Sequence, residues 1–165
     1  MSNPDSGGLH LVTATDAHFA ALASNRAPDG FDLAEGGIDD REIIEMLGAL
    51  AGAVRLQIDP ASWLIVNDKE VVGLCSITKP FVSPGMIEIG YGIAPTRRGR
   101  GFATRAVGKL LELARADTRI EIVAAETAVD NVPSQRTLEK NGFTRVGGRI
   151  DPDDGALFCW RVAVD

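Results

Sequence analysis

Residues 93–104 read Ile-Ala-Pro-Thr-Arg-Arg-Gly-Arg-Gly-Phe-Ala-Thr. The apolar start is typical of the end of a strand, and an apolar pattern of helical period begins after Gly101. The first backbone N–H groups of a helix lack hydrogen-bond partners within the helix. Gly99 and Gly101 have no side chains and let a ligand approach the backbone closely. The stretch therefore predicts an anion-binding loop between a strand and a helix, of a kind that suits a pyrophosphate.

Two common phosphate-binding loops do not fit this stretch. A P-loop needs Gly-Lys followed by Ser or Thr, and a dinucleotide fingerprint needs three glycines in the spacing GxGxxG after a first strand. Residues 93–104 contain neither arrangement. The loop therefore belongs to another class of anion site, or it is a solvated basic turn.

The segments on either side of the loop form a crossover unit. Residues 86–93 and 120–127 have strand character, and residues 101–116 carry an amphipathic helical pattern. Because strand–helix–strand crossovers are right-handed, the two strands should be parallel neighbours with the helix over one face.

The rest of the chain adds strands and helices on both sides of this unit. Upstream, the patterns predict strand 9–13, helix 16–25, a helix starting at Asp39-Asp40, and strands 63–66 and 71–78 that form an antiparallel meander with 86–93. Downstream they predict helix 132–141, ended by Asn141-Gly142, and a hairpin of 143–150 with 156–164. The predicted class is α+β, a mixed sheet with helices on both sides.

Composition favours one cytoplasmic domain. The chain has 165 residues, of which 45% are hydrophobic and 24% charged, so we expect a single domain over residues 1–165. No apolar run approaches the roughly 18 residues that span a bilayer, and Met1–Asp5 lacks the features of a signal peptide. Membrane association is therefore not expected.

The net charge of −6 argues against nucleic acid as a partner, since such proteins need basic surface. An RNA-associated protein using the loop arginines is the weakest hypothesis. Cys75 and Cys159 lie in apolar segments and should be buried thiols. No CxxC or His-x-x-x-His spacing accompanies them, so no metal site is predicted.

Two motifs together resemble a known family. Arg98, Gly101 and Ala103 match the pattern Gln/Arg-x-x-Gly-x-Gly/Ala, and residues 131–143 read Asn-Val-Pro-Ser-Gln-Arg-Thr-Leu-Glu-Lys-Asn-Gly-Phe. In this combination and order, over residues 9–163, the chain resembles the GNAT superfamily of acetyltransferases. Leu138-Glu-Lys-Asn-Gly-Phe is similar to the RimJ/RimL-like subgroup of ribosomal-protein N-terminal acetyltransferases.

The resemblance implies a fold, a cosubstrate and an activity. The fold would be a mixed, mostly antiparallel sheet of six to seven strands with about four helices. The activity would be acetyl transfer from acetyl-CoA, without a metal, to a primary amine on a small molecule or a protein N-terminus. The pantetheine arm would lie along Ile93, Ala94 and Pro95, with Asn131 opposite. The pyrophosphate would lie on the backbone of Arg98, Gly99, Arg100, Gly101, Phe102, Ala103 and Thr104.

Acetyl transfer also needs a base for the amine and an acid for the leaving thiolate. Many relatives carry the acid as a tyrosine where this chain has Leu138, and in the RimL-like subgroup the candidate is the serine that matches Ser134. Glu88 is the predicted base because it shares a strand face with two glycines, which leaves room for a ligand. A strand glutamate in an ion pair is the alternative, and Glu126 is the alternate base.

Several alternatives stay open at this stage. Asn131 also suits the N-cap of the following helix, Ser134 suits a helical first turn, and Tyr91 suits the core. The acidic segment 28–40 could attract a cationic amine, although a solvated loop is the preferred explanation. A non-catalytic acyl-CoA-binding module is the competing function, and the sequence leaves a homodimer undecided.

Overall fold

The structure is a computed structural model that describes residues 8–164. Met1–Asp5, which bears on the prediction about a signal peptide, lies outside the described residues. Residues 8–164 form eight strands: β1 (Leu9–Thr13), β2 (Asp32–Leu33), β3 (Ser62–Asn67), β4 (Glu70–Ser83), β5 (Met86–Ile93), β6 (Ile122–Ala128), β7 (Thr144–Asp151) and β8 (Gly155–Ala163). Four α-helices accompany them: α1 (Asp16–Ala23), α2 (Arg41–Val54), α3 (Phe102–Arg115) and α4 (Val132–Lys140).

The strands form one mixed sheet. Its main path has the order β1-β3-β4-β5-β6-β8-β7, and β2 pairs with β4 beside that path. Along the path only β5 and β6 are parallel, and every other neighbouring pair is antiparallel. The predicted meander, crossover unit and final hairpin are therefore confirmed, as is the α+β class.

The prediction from sequence missed β2. This strand has only two residues, and they pair in parallel with Glu70 and Val71 of β4. Two residues within the glycine-rich acidic segment are too short to show a strand period. The strand ties that segment to the sheet through the Ala34 N–H, which donates to the Val71 carbonyl over 3.1 Å.

Helices cover both faces of the sheet. In α3 the buried positions recur at helical spacing and end at Ala114, which is the stripe that packs an amphipathic helix on a sheet. On the opposite face, α2 packs against β4, and Ile44 of α2 is fully buried. The middle of β4 is buried on successive residues because it is covered from both sides.

No helix among residues 8–164 combines the length and apolar character needed to cross a membrane.

Candidate active site

The strands β5 and β6 separate partway along their length. Their parallel ladder ends at the pair Ile89 and Ala125, although β5 continues to Ile93 and β6 to Ala128. The opening between them, which we call the wedge, is bordered by strand edges that do not pair with each other. Extended chains with amide groups can bind to such an edge by main-chain hydrogen bonds.

Only part of the predicted segment at the end of β5 can donate to a ligand in the wedge. The Ala94 N–H donates to the Val72 carbonyl over 2.7 Å, and Pro95 has no N–H. Successive N–H groups of a strand point to opposite edges, so the N–H of Ile93 points toward the wedge. Of the three residues predicted to line the arm, Ile93 is therefore the one with a donor on this side.

The loop after β5 presents unbonded amides. Pro95–Arg97 forms a short 3-10 turn, and α3 begins at Phe102 with Gly101 as its N-cap. The backbone N–H groups of Arg98 to Thr104 find no acceptor among residues 8–164. We call these seven amides the cradle.

Two glycines give the cradle its shape. Gly99 and Gly101 have φ of 77° and 78°, in the left-handed region where a side chain causes strain. A Cβ at either position would meet no atom within 4 Å. Glycine is therefore favoured at both positions by the backbone conformation and not by a lack of space for a side chain. The space beside the loop is open to a ligand.

The loop arginines have different roles. Arg97 makes an ion pair with Glu70, with Nε 2.6 Å from Oε1, and so is committed to the fold. The Arg98 Nε donates to the Ile93 carbonyl over 3.3 Å, which places its guanidinium beside the wedge. Arg100 is exposed and makes no hydrogen bond or ion pair within the described residues.

The start of α4 faces the wedge from the β6 side. Asn131 is the N-cap, and its Oδ1 accepts from the Ser134 N–H over 3.2 Å, as one of the two sequence interpretations predicted. The Ser134 hydroxyl lies 2.8 Å from the hydroxyl of Tyr91 in β5. The sequence favoured a core role for Tyr91; its ring does pack against the core, but its hydroxyl belongs to this site.

The two candidate bases lie on the opposite face, the one covered by α2. The Glu88 side chain is 14% exposed, and its Oε2 lies 3.3 Å from the Lys79 Nζ. Glu126 makes a bidentate ion pair with Arg149, and this hydrogen bonding lowers the pKa of the Glu126 carboxyl. Both carboxylates are thus paired, and the lowered pKa of Glu126 makes that carboxylate a poor base.

A cavity of about 230 Å³ lies between α2 and the strands β4 and β5. Its walls are mainly apolar and include Ile38, Ile43, Ile44, Leu47 and Leu74. Polar groups of the lining come from Asp39, Ser76, Thr78 and Arg98. Residues 90–93 of β5 also line the cavity. Glu88 lies two residues before Gly90 on the same strand face, so the cavity adjoins the predicted base.

The acidic segment contributes little to this cavity. Of Asp29, Asp32, Glu35, Asp39 and Asp40, only Asp39 lines it. The Asp39 Oδ1 accepts from the Asp40 N–H over 2.7 Å at the start of α2. Asp40 is the N-cap of α2, but its side chain makes no capping hydrogen bond.

The cysteines lie away from the cradle. Burial raises the pKa of the Cys75 thiol to about 12. Cys159 is partly buried beside Glu126. Burial raises the pKa of the Cys159 thiol, and the negative charge of Glu126 raises it further. Neither thiol is activated as a nucleophile.

Comparison with known proteins identifies the family. The model of the acetyltransferase (GNAT) domain family matches residues 9–144. A solved structure of RimL, a ribosomal L7/L12 alpha-N-protein acetyltransferase in complex with coenzyme A, superposes with a TM-score of 0.74 and 19% identity over 98% of this chain and 97% of that one. At this identity the likeness shows the fold alone.

Two curated relatives match part of the chain at higher sequence identity. The chain is 28% identical to an uncharacterized N-acetyltransferase, p20, of Bacillus licheniformis over 107 residues, which are 65% of this chain and 59% of the relative. It is 36% identical to an uncharacterized N-acetyltransferase, YjdG, of Bacillus subtilis (strain 168) over 84 residues, 50% of each. The matches thus span only half to three-fifths of these relatives. On the match over residues 9–144, the chain belongs to the acetyltransferase (GNAT) domain family.

Proposed function

We propose that the chain is an N-acetyltransferase that moves an acetyl group from acetyl-CoA to a primary amine of a small molecule or a protein N-terminus. The observation that carries this proposal is the junction of the wedge with the cradle. Unpaired strand edges stand beside seven unbonded amides. A ligand with an amide-containing arm and a diphosphate matches both parts.

The residues present fit coenzyme A on physical grounds. The cradle offers N–H donors at a helix start with the space above it open, which favours a diphosphate. The Ile93 N–H and the Asn131 side-chain amide would hold the arm from the two sides of the wedge. When bound, acetyl-CoA supplies the acetyl group and a thiolate leaving group, and the chain supplies position and proton transfers.

The proton transfers are assigned by position and charge. Glu88 takes the proton from the amine, directly or through a water, because it lies beside the cavity and its ion-pair partner Lys79 is about half exposed. Glu126 suits this role less, since Arg149 lowers its pKa. Ser134 gives a proton to the departing thiolate from the α4 side.

The cavity on the α2 face is the proposed acceptor site. It lies across the sheet from Ser134 and beside Glu88, so donor and acceptor would approach from opposite faces. Its apolar walls and single acidic group, Asp39, suit an amine that carries an apolar portion.

Calorimetry with coenzyme A and a thiol-release assay test the proposal together. The assay would contain acetyl-CoA with spermidine or with peptides that have free N-termini starting in serine, alanine or methionine. We expect coenzyme A to bind and at least one amine to stimulate thiol release. Binding without stimulation by any amine would favour the non-catalytic acyl-CoA-binding module, and absence of binding would overturn both functions.

A further inference from the structure

Tyr91 is the only tyrosine of the chain, and its hydroxyl lies at the proposed site. It projects from β5 onto the face covered by α3 and α4. Its Oη lies 2.8 Å from the Ser134 Oγ and 3.3 Å from the Ser134 carbonyl oxygen, so the phenol can donate its proton to either of them. The two residues are 43 positions apart in sequence, so the contact exists only because the fold brings β5 against α4.

We propose that Tyr91 is the source of the proton that Ser134 delivers to the departing thiolate, so that the two hydroxyls form a relay. This inference rests on the proposed acetyltransferase function and deepens it. Tyr91 acts through Ser134 and is in that sense a positioning residue for the serine.

The hydrogen-bond directions support a relay from phenol to serine. A hydroxyl donates one hydrogen bond at a time. If Ser134 donates toward the thiolate, it cannot donate to Tyr91, and Tyr91 is then the donor in the 2.8 Å contact, which is shorter than its 3.3 Å contact with the Ser134 carbonyl. In this arrangement the Ser134 hydroxyl proton points toward the thiolate, and the Tyr91 proton is hydrogen-bonded to the Ser134 Oγ.

The protons balance along this path. The Ser134 O–H bond breaks as the S–H bond of coenzyme A forms, and the Tyr91 O–H bond breaks as the Ser134 O–H bond is restored. The tyrosinate then takes a proton from water. A phenol ionises near pH 10, close to a thiol at about 8.5, whereas an aliphatic alcohol is a far weaker acid. A phenol behind the serine therefore makes the net transfer less unfavourable.

The environment keeps the phenol protonated for this purpose. Burial raises the pKa of Tyr91, and the hydrogen bond to Ser134 acts in the opposite direction. Tyr91 supplies this phenol from β5.

The test compares Tyr91→Phe, Ser134→Ala and the double variant, with acetyl-CoA and the amine that the wild type accepts. Tyr91→Phe keeps the ring and removes the hydroxyl. We expect kcat to fall about 10- to 100-fold, with the KM for acetyl-CoA within about twofold of wild type. The double variant should be no slower than Ser134→Ala, because both residues serve one step.

A pH profile separates a relay from a structural role. In the wild type, kcat should decline at alkaline pH as Tyr91 loses its proton, and Tyr91→Phe should lack that decline. Ser62→Ala is the matched control, because it removes a different contact between two hydroxyls, the 2.8 Å hydrogen bond of Ser62 with Ser76. It should lower thermal stability and leave the alkaline limb in place.

A second readout needs no turnover. Because Tyr91 is the sole tyrosine, the phenolate absorbance reports its ionisation alone. Ser134→Ala should raise the pKa of Tyr91, since the hydrogen bond that lowers it is lost. An unchanged titration would show that the two hydroxyls do not interact in solution and would overturn the relay.

The outcomes distinguish this inference from the proposed function. A wild type that binds coenzyme A but releases no thiol with any amine overturns both. A wild type that turns over, with a Tyr91→Phe variant of equal kcat or with effects that multiply in the double variant, overturns the relay alone.

Discussion

The guanidinium of Arg149 in β7 reaches across β8 to the carboxylate of Glu126 in β6, with Nη2 2.8 Å from Oε1 and Nε bonded to Oε2. The Arg149 side chain also lies 3.1 Å from Asp151. The pair holds Glu126 in its charged form, which lowers the pKa of that carboxyl below its ordinary value of 4.5. It therefore links the stability of this end of the sheet to pH.

We predict that Arg149→Met lowers the free energy of unfolding modestly at neutral pH. The effect is modest because the Arg149 side chain is 41% exposed. A carboxyl with a lowered folded pKa adds stability above its unfolded pKa and loses it as pH falls through the folded value. The difference between variant and wild type should therefore shrink as pH falls below 4.5 and through the lowered pKa of Glu126.

Urea unfolding followed across pH measures this difference. Arg161→Met is the control, because Arg161 in the adjacent strand makes no ion pair within the described residues. Its effect on stability should not vary with pH over the same range. A difference for Arg149→Met that stays constant into acid would show that the ion pair is not formed.

Glu88→Gln tests the base. Removing a general base typically costs about 10²- to 10⁴-fold in rate, and we expect a fall in kcat of that size with little change in the affinity for coenzyme A. Glu112→Gln, on the exposed side of α3, is the matched control and should retain full activity. If Glu126→Gln abolishes turnover while Glu88→Gln preserves it, the base assignment moves to Glu126.

The parts of the fold that sequence predicted are those governed by local pattern. The strand, loop and helix around Gly101 could be found because the period changes from strand to helix within a few residues. The Asn131 cap could be found because its role depends on a residue only three positions away. Both features sit near the proposed cosubstrate site.

The unpredicted features depend on distant contacts. The Tyr91–Ser134 contact and the Arg149–Glu126 ion pair cannot be recognised from a local sequence pattern. Their partners are 43 and 23 positions apart, respectively, and meet only in the folded protein. The point where β5 and β6 separate is likewise set by the packing of the whole sheet. The contacts of Tyr91 and Arg149 therefore could not be predicted from the sequence, whereas the loop around Gly101 and the Asn131 cap could.

Asp39→Asn tests whether charge at the cavity selects cationic amines. Asp39 is the sole acidic group among the residues that line the cavity, and asparagine can keep the hydrogen bond that Asp39 accepts from the Asp40 N–H. For a cationic amine that the wild type accepts, we expect the KM to rise about threefold or more at low salt and the increase to shrink at high salt. Steady-state kinetics at two ionic strengths measures this effect.

Asp29→Asn is the control for Asp39→Asn, because Asp29 lies in the same acidic segment, is exposed and does not line the cavity. It removes the same charge from the chain. Equal increases in KM for the two variants would mean that the charge of the whole segment matters. In that case the cavity itself would not select cationic amines.

Gly101→Ala tests the cradle. An L-residue at the φ of 78° found at Gly101 costs roughly 1–2 kcal/mol, although a Cβ there would contact nothing within 4 Å. The free loop can relieve the strain by moving, and coenzyme A must then restore the original backbone. We expect the Kd for coenzyme A, measured by calorimetry, to rise about tenfold, which corresponds to about 1.4 kcal/mol.

Two further variants separate backbone strain from other causes in this test. Gly147→Ala, in β7, adds a methyl group to equally open space without a left-handed backbone, so the Kd should not change. Gly101→Asn should recover part of the lost affinity, because asparagine tolerates the left-handed region better than alanine does. If Gly101→Ala binds coenzyme A as tightly as wild type, the amides from Arg98 to Thr104 do not hold the diphosphate, because their geometry depends on this residue.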